Sequence, residues 1–539
     1  MRSSLGVQQG DPAGSALFCL AIQELVESLT CPFTAWYCDD GVLIGSAEEV
    51  CDDVRRIQAF EAVSGLALNP SKCEVHVVNG DHQDAERALQ EIQSVLPEVA
   101  VADVESLELL GAALYDEGLR HCVTKKREKM VTALGRLGSL TSQEGLLLLR
   151  MSLFAPRLIH VLRTFHCFPI QDLLEELDDL LKGSLQKVLN TDFDTHTMKK
   201  ATLPVRAGGL GIRSPRDLRL PCILSSLASA RVNVQALLPA SVFVEYEELL
   251  AEISTLFPLA EDTTCDISCQ REIDGILCEE SYQDLLAAAD PSERACMLAS
   301  RQPLSYSWMY AIPHPNLGTC IDDRTVSTAI CLRLHVRVCQ PHPCALCQEP
   351  VGCYGHHALH CAYSKGRWFR HSMINRELTG ILNKVGVPSL REPSGTHLDP
   401  HLRLDGITIV PWERGKSLAW DVTVADTLAP TYQPQTSLRA GTAAARLEAQ
   451  KRRKYKDILP EFTFRAIGLE TLGSMGPSAR GFFSDLSRRI GMAAASLTPG
   501  CLQDAREYEY LLQRISIILL RSNTMSILAS MPQSALPYG

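Results

Sequence analysis

The sequence predicts an α/β chain of several domains, and three observations predict it. At 539 residues the chain is long enough for three or four domains, each with a core of its own. Short apolar runs of strand length alternate with helix-length periodic segments near both ends, while Val123 to about Lys200 and most of 215–335 carry helical spacing. Acidic residues are set against such strand-like runs in two places, around Asp39 and around Asp421.

Composition narrows the class. A hydrophobic content of 46% and a charged content of 21% are those of a globular protein and exclude a disordered or fibrous chain. The formal charge of -11 argues against nucleic-acid binding by overall charge, because phosphate contacts require Lys and Arg. Any such contact must come from local patches such as Lys125-Lys126-Arg127 and Lys451-Arg452-Arg453-Lys454. A charge run is more commonly a solvated helix face. The 20 cysteines, with a polar stretch from Met1 to Asp11 in place of a leader, predict buried thiols and a metal site in a nuclear or cytoplasmic protein that is not secreted. Tyr510 to Ala529 is apolar but interrupted by Arg514 and Arg521, which predicts an amphipathic terminal helix and no membrane span.

Taken in order, Leu5 to Ser15 is a turn-rich segment that runs into an apolar helix, Ala16 to Val26. Trp36-Tyr37-Cys38-Asp39-Asp40-Gly41 lies between the apolar runs Phe33–Tyr37 and Val42–Ile44, which predicts a β-hairpin with the acidic pair at its tip. Adjacent carboxylates repel unless a cation shares their charge, and hard divalent ions favour carboxylate oxygens. By itself an Asp-Asp-Gly is usually only a turn. Glu48 to Val63 has helical spacing, Glu74 to Val78 that of a strand, and Asp84 to Val95 that of a helix.

The hairpin does not stand alone. Gln9-Gly10-Asp11-Pro12 precedes it; Gly65-Leu66-Ala67-Leu68-Asn69-Pro70-Ser71-Lys72 and Leu109-Leu110-Gly111 follow it. In that order the four segments resemble the palm of a non-LTR retrotransposon reverse transcriptase. The resemblance implies that Asp39 and Asp40 hold Mg²⁺ or Mn²⁺, and that Gln9, Gly10 and Lys72 contribute to cofactor binding. It also implies a further Asp on a strand upstream of the Gln-Gly-Asp-Pro loop, and fingers beyond it; neither is found in this sequence. Met1 therefore reads as an internal methionine of a longer frame, and the polymerase site as incomplete.

From Val123 to about Lys200 the pattern is helical throughout. Leu146–Arg150 and Leu153–Leu158 resemble the family's helical thumb. Leu203 to Arg213 is a Gly-rich break that lacks the Gly-Lys-Ser/Thr end of a phosphate loop and resembles a post-thumb connector. Residues 215–335 form a helical linking region with little chemistry to declare.

Cys344-Ala345-Leu346-Cys347 is followed by Gly355-His356-His357-Ala358-Leu359-His360-Cys361. Two thiolates on a tight knuckle, then an imidazole and a thiolate, complete a tetrahedral shell for Zn²⁺. With His356 the spacing is C-x2-C-x8-H-x4-C, and with His357 the last interval is one shorter. His360 is a third choice. The segment resembles the CCHC knuckle of retrotransposons that carry a restriction-like endonuclease, in which an Arg-His like Arg370-His371 follows.

Beyond the knuckle, Arg391-Glu392-Pro393 closes a predicted helix, and Leu402 to Val410 begins a hairpin-like pattern containing Asp405. Ser417 to Val424 reads as a central strand with Asp421 at its middle, and Ser437 to Ile458 as a long helix with Lys451 and Tyr455 one turn apart. Two carboxylates on neighbouring strands with a lysine nearby suit Mg²⁺-dependent phosphodiester hydrolysis. The segment resembles the PD-(D/E)xK domain of the same retrotransposons. That implies Asp405 and Asp421 as metal ligands, and Lys451 and Tyr455 as a helix-borne Lys-x-x-x-Tyr, because Thr423 stands where a strand lysine would be. Glu392 matches an acidic residue on the preceding helix, and Leu404 replaces the proline usual before the first Asp.

Together these resemblances imply a partial right-hand palm (1–115), a helical thumb and connector (116–214), a linking region (215–335), a zinc knuckle (336–378), a restriction-endonuclease-like α/β domain (379–500) and a terminal helix (501–539). The expected function is that of an RNA-directed DNA polymerase family protein with a metal-dependent DNA-nicking domain. Its cofactors are Mg²⁺ or Mn²⁺ and Zn²⁺, and its partners are template–primer and target DNA. The alternative is a catalytically dead remnant that only binds nucleic acid. A phosphotransferase using Asp39 and Asp40 alone fits neither the loop nor the domain order.

Overall fold

The computed structural model describes residues 10–257, 264–393, 403–456, 461–497 and 503–532. It is a mixed α/β structure in which helices predominate and the sheets are small. The chain divides into two compact units, Met1–Lys125 with Thr164–Leu173, and Lys126–Arg163 with Leu174–Gly539.

In the first unit a helix, Gly14–Ser28, leads into an antiparallel hairpin of Phe33–Tyr37 and Asp40–Ile44. The two-residue turn is Cys38-Asp39, with Cys38 at φ 53°, as the tight turns favoured by twisted hairpins demand. The entry to the hairpin is fixed by buried Asp53, whose carboxylate accepts the Thr30 and Cys31 amides at 2.8 Å and pairs with Arg56 at 2.9 Å. Asp53 sits on the Ala47–Ser64 helix, which opens with a capping box between Ser46 and Glu49 and stops at left-handed Gly65. Its inner face packs Cys51 and Val54 against Ile92 and Leu96. The expected strand Glu74–Val78 is only Glu74–Val75, paired in parallel with Ala100–Val101.

The second unit holds a four-stranded mixed sheet. Its spatial order is Thr463–Glu470, Lys416–Ala425, Gly406–Glu413, Ser389–Arg391. The second strand in that order is parallel to the first and antiparallel to the third. Lys416–Ala425 is central and buried from Leu418 to Val422, which explains its nearly unbroken apolar run. Arg414 and Gly415, both at positive φ, make the turn into it. Helices Lys365–Lys384, Pro477–Leu497 and Gln503–Ser530 pack Ile374, Leu378, Phe482, Phe483, Ile515 and Leu519 around Trp420 and Ile467.

Three expectations change here. Glu392 does not close a helix: that helix ends at Lys384, and Glu392 follows the edge strand Ser389–Arg391 at φ 46°. The long helix expected from Ser437 starts at Thr442, because Gly441 at φ 84° breaks it from the short turn Gln433–Thr436. The terminal helix is buried on most of its circumference from Leu511 to Ser530 instead of amphipathic on a surface. Its buried Ser522 and Ser526 turn their hydroxyls back to the carbonyls of Ile518 and Ser522. Small side chains there let Gly366 of the Lys365–Lys384 helix come so close that a Cβ would lie 2.3 Å from Ser526 Oγ.

The Gly-rich break is structural. Arg333, buried, donates to the carbonyls of Val205, Gly209 and Ser300, so the loop's carbonyls are clamped from within. One helical run, Ser142–Thr164, is long and apolar enough by composition to cross a membrane. It contains Arg150, which donates to the Met309 carbonyl at 2.5 Å inside the second unit.

Candidate functional site

Two constellations in the second unit carry chemistry. The first is the knuckle. Short strands His342–Pro343 and Pro350–Val351 pair around Cys344 and Cys347, and Gly355, at φ 67°, opens the short helix His356–His360. Cys344, Cys347, His357 and Cys361 bring four ligand atoms within 4.8 Å of one another. Cys347 Sγ is 3.0 Å from His357 Nε2 and 3.7 Å from Cys361 Sγ. The choice left open by spacing therefore falls on His357. His356 instead stacks with His335 and Tyr354, and His360 Nδ1 lies 2.9 Å from Asp426 Oδ2. Burial works against a thiolate at Cys344, but the amides of Leu346 and Cys347 and the neighbouring thiols outweigh it and lower its pKa. Burial lowers His357, which keeps its imidazole in the neutral, metal-ligating form. A Cys₃His set of this kind could bind zinc.

The second constellation straddles the sheet centre. Asp405 immediately precedes the Gly406–Glu413 strand, and its amide donates to the Trp420 carbonyl at 3.1 Å, which places it beside Asp421. Asp405 Oδ2 accepts the Val422 amide at 2.6 Å and lies 2.9 Å from His371 Nε2. Asn375, one turn after His371, has its Nδ2 3.5 Å from His371 Nε2 and accepts the Trp420 indole N–H on Oδ1 at 3.0 Å. Burial pushes the Asp405 carboxyl up, but the hydrogen bond and charge of His371 and the Val422 amide outweigh it and hold it below its ordinary value. The same hydrogen bond raises His371.

Asp421, on the central strand, meets the Thr442–Lys454 helix. Lys451 Nζ donates to Asp421 Oδ2 at 2.9 Å and lies 2.8 Å from Oδ1. The Tyr455 hydroxyl is 2.8 Å from Oδ2 and 2.5 Å from the Arg403 carbonyl. Asp421 Oδ1 is buried and takes no directed hydrogen bond; its neighbour is the Lys451 ammonium at 2.8 Å, which it meets by charge. Burial, and then the Asp405 charge, raise Asp421, while Lys451 and Tyr455 only partly oppose them. Burial also raises Tyr455 and keeps it a proton donor. The helix itself is fixed by buried Glu470, which accepts the Ala443 and Ala444 amides at its N-terminus.

No protein-family model matches the chain, and no curated protein matches it.

The remaining predicted residues stand apart. Asp39 and Asp40 are exposed at the hairpin turn; Gly10 and Lys72 are exposed, and Gln9 lies outside the described residues. Glu392 is exposed, and what it gives the second constellation is its amide, donated to the Asp405 carbonyl at 3.0 Å. Among the described residues only the knuckle brings three or more His, Cys, Asp or Glu ligand atoms within 4.8 Å of one another; His371 meets Asp405 without completing such a group with Asp421. Two participants were not expected in this site: Asn375, and His371, which was expected only as part of the Arg370-His371 pair after the knuckle. The signal for His371 was the Arg370-His371 pair, and for Asn375 its place one helical turn beyond.

Proposed function

We propose that this chain is a retroelement-derived protein of the non-LTR type, whose second unit is a metal-dependent DNA endonuclease built beside a zinc knuckle. The observation that carries the reading is the convergence of Asp405, Asp421, Lys451 and Tyr455, with Asp421 Oδ1 buried against the Lys451 ammonium and taking no directed hydrogen bond. Two carboxylates on adjacent strands fit the oxygen-ligand preference of Mg²⁺, and Asp421 Oδ1, which takes no directed hydrogen bond, keeps a lone pair for such an ion. Bound by Asp405 and Asp421, Mg²⁺ would supply Lewis acidity at the scissile phosphate.

The chain's own residues have separable tasks. Tyr455 and the Val422 amide hold the two carboxylates in fixed rotamers. His371 meets the same Asp405 oxygen as the Val422 amide, and Asn375 ties that helix to the strand through Trp420. Lys451 neutralises Asp421 in the resting site and is the cation close enough to orient the nucleophile and stabilise charge developing on phosphate. The test is nicking of supercoiled DNA by the full chain with Mg²⁺. Wild-type activity lost in Asp405→Ala supports the reading; equal activity in both contradicts it.

A second reading, a protein that binds nucleic acid without cutting it, draws on one observation: among the described residues neither carboxylate pair belongs to a group of three ligand atoms within 4.8 Å of one another. It predicts DNA or RNA binding with no Mg²⁺-dependent product.

A further inference from the structure

The basic run Lys451-Arg452-Arg453-Lys454 has a use that its composition alone does not reveal. Cations in a last helical turn are favoured by the helix dipole, so their presence there needs no ligand. Their distribution around the helix is what matters. Lys451 turns inward to Asp421. Lys454 is exposed, and its Nζ lies 5.1 Å from the Tyr455 ring centroid, at the edge of the same constellation. Arg452 is exposed on the other flank of the Lys451–Tyr455 row, about 100° round the helix from Lys451. Arg453 is exposed about 200° round, on the far side.

A third cation arrives from a different segment. The Arg403 carbonyl faces the Tyr455 hydroxyl at 2.5 Å, and the residue is exposed, so Arg403 joins the rim of the site from the sheet side. Among the described residues Arg403, Arg452 and Lys454 make no ion pair, although acidic residues outnumber basic ones in the chain, 63 to 52. The other basic run differs, since its Arg127 is paired with Glu176 at 3.2 Å. Unpaired cations on both sides of buried Asp421 and half-buried Asp405 offset the repulsion those carboxylates would exert on a polyanion.

We propose that Arg403, Arg452 and Lys454 form a phosphate-binding rim that seats the backbone of duplex DNA across the Asp405–Asp421 constellation. The proposal rests on the endonuclease reading for its orientation, but it is a statement about binding and is tested without cleavage. Phosphate contacts release condensed counterions, so each one steepens the fall of log K with log salt by about 0.9. The experiment is fluorescence anisotropy of a short labelled duplex with the full chain in EDTA over a series of salt concentrations. It compares wild type, the triple variant Arg403→Gln/Arg452→Gln/Lys454→Gln, and Arg453→Gln. All four positions are exposed, so the substitutions leave the core intact.

The triple variant is expected to bind at least tenfold more weakly at low salt, with a slope shallower by about 2–3. Arg453→Gln is expected to keep wild-type affinity and slope. A wild type that does not bind the duplex, a triple variant that binds as the wild type does, or an Arg453→Gln as weak as the triple variant would each overturn the proposal. So would single-stranded RNA of equal length bound as tightly through the same three residues. Binding that maps to the rim in a protein that never nicks contradicts the endonuclease reading and leaves the rim standing. Nicking with unaltered binding in the triple variant removes the rim alone.

Discussion

The indole ring of Trp420 lies across Gly406, the residue directly opposite it in the sheet. A Cβ on Gly406 would fall 1.9 Å from the ring, so the close approach requires glycine at this position. The contact also aims the indole N–H at Asn375, on the helix that carries His371. Trp36 and Gly41 repeat the arrangement in the other hairpin, where a Cβ would lie 2.8 Å from the ring.

Gly406→Ala is therefore expected to destabilise the second unit, at the upper end of the roughly 1–3 kcal/mol that overpacking costs. Urea denaturation followed by tryptophan fluorescence reads it. An unchanged midpoint would mean that the ring moves aside freely.

Much of this was legible because it is local. Period-two and near-continuous apolar runs mark the hairpin at Asp39-Asp40 and the central strand around Asp421, and CxxC marks the knuckle. What was not legible depends on orientations set by distant packing. His356, His357 and His360 are chemically equal in sequence, and only the αL start at Gly355 and the docking of His360 on Asp426 turn His357 inward. His371 reaches Asp405 across 34 residues because the Lys365–Lys384 helix lies on the sheet in one register. Arg391-Glu392-Pro393 was expected to close a helix, but that helix stops at Lys384, just before Gly386 at φ 76°.

Asp178 gives the chain a pH dependence away from both constellations. Burial pushes its carboxyl up to about 6, and the Ser214 hydroxyl at 2.9 Å only partly opposes this. A carboxyl raised in the folded state adds stability below its unfolded pKa of about 4, and that contribution is lost as pH rises through about 6. Asp178→Asn should match wild type near pH 4 and exceed it at pH 8 by up to about 2–3 kcal/mol. Denaturant midpoints at the two pH values measure it; a constant difference between the proteins would contradict the assignment.

The knuckle should hold one Zn²⁺ per chain. Cys347→Ser and His357→Ala should lose it, whereas His356→Ala and His360→Ala should keep it. Elemental analysis with a chromogenic zinc titration distinguishes the four, and zinc lost from His356→Ala but retained in His357→Ala would reverse the ligand choice.

The hairpin should not support templated synthesis in this chain, because Asp39 and Asp40 are exposed and no third carboxylate joins them among the described residues. A primer-extension assay with Mg²⁺ or Mn²⁺ is expected to give no product. Extension abolished by Asp39→Asn would contradict this.

The central claim is that Asp405 and Asp421 hold an ion while Lys451 acts on the phosphate. Nicking of supercoiled DNA with Mg²⁺, run beside calorimetric titration of the metal, tests it on wild type, Asp421→Ala and Lys451→Ala. Asp421→Ala is predicted to lose both ion binding and cleavage. Lys451→Ala is predicted to keep the ion and to cut about 10²–10³ times more slowly than wild type. Three proteins that cut alike, or a Lys451→Ala that loses the ion along with the activity, would contradict the account.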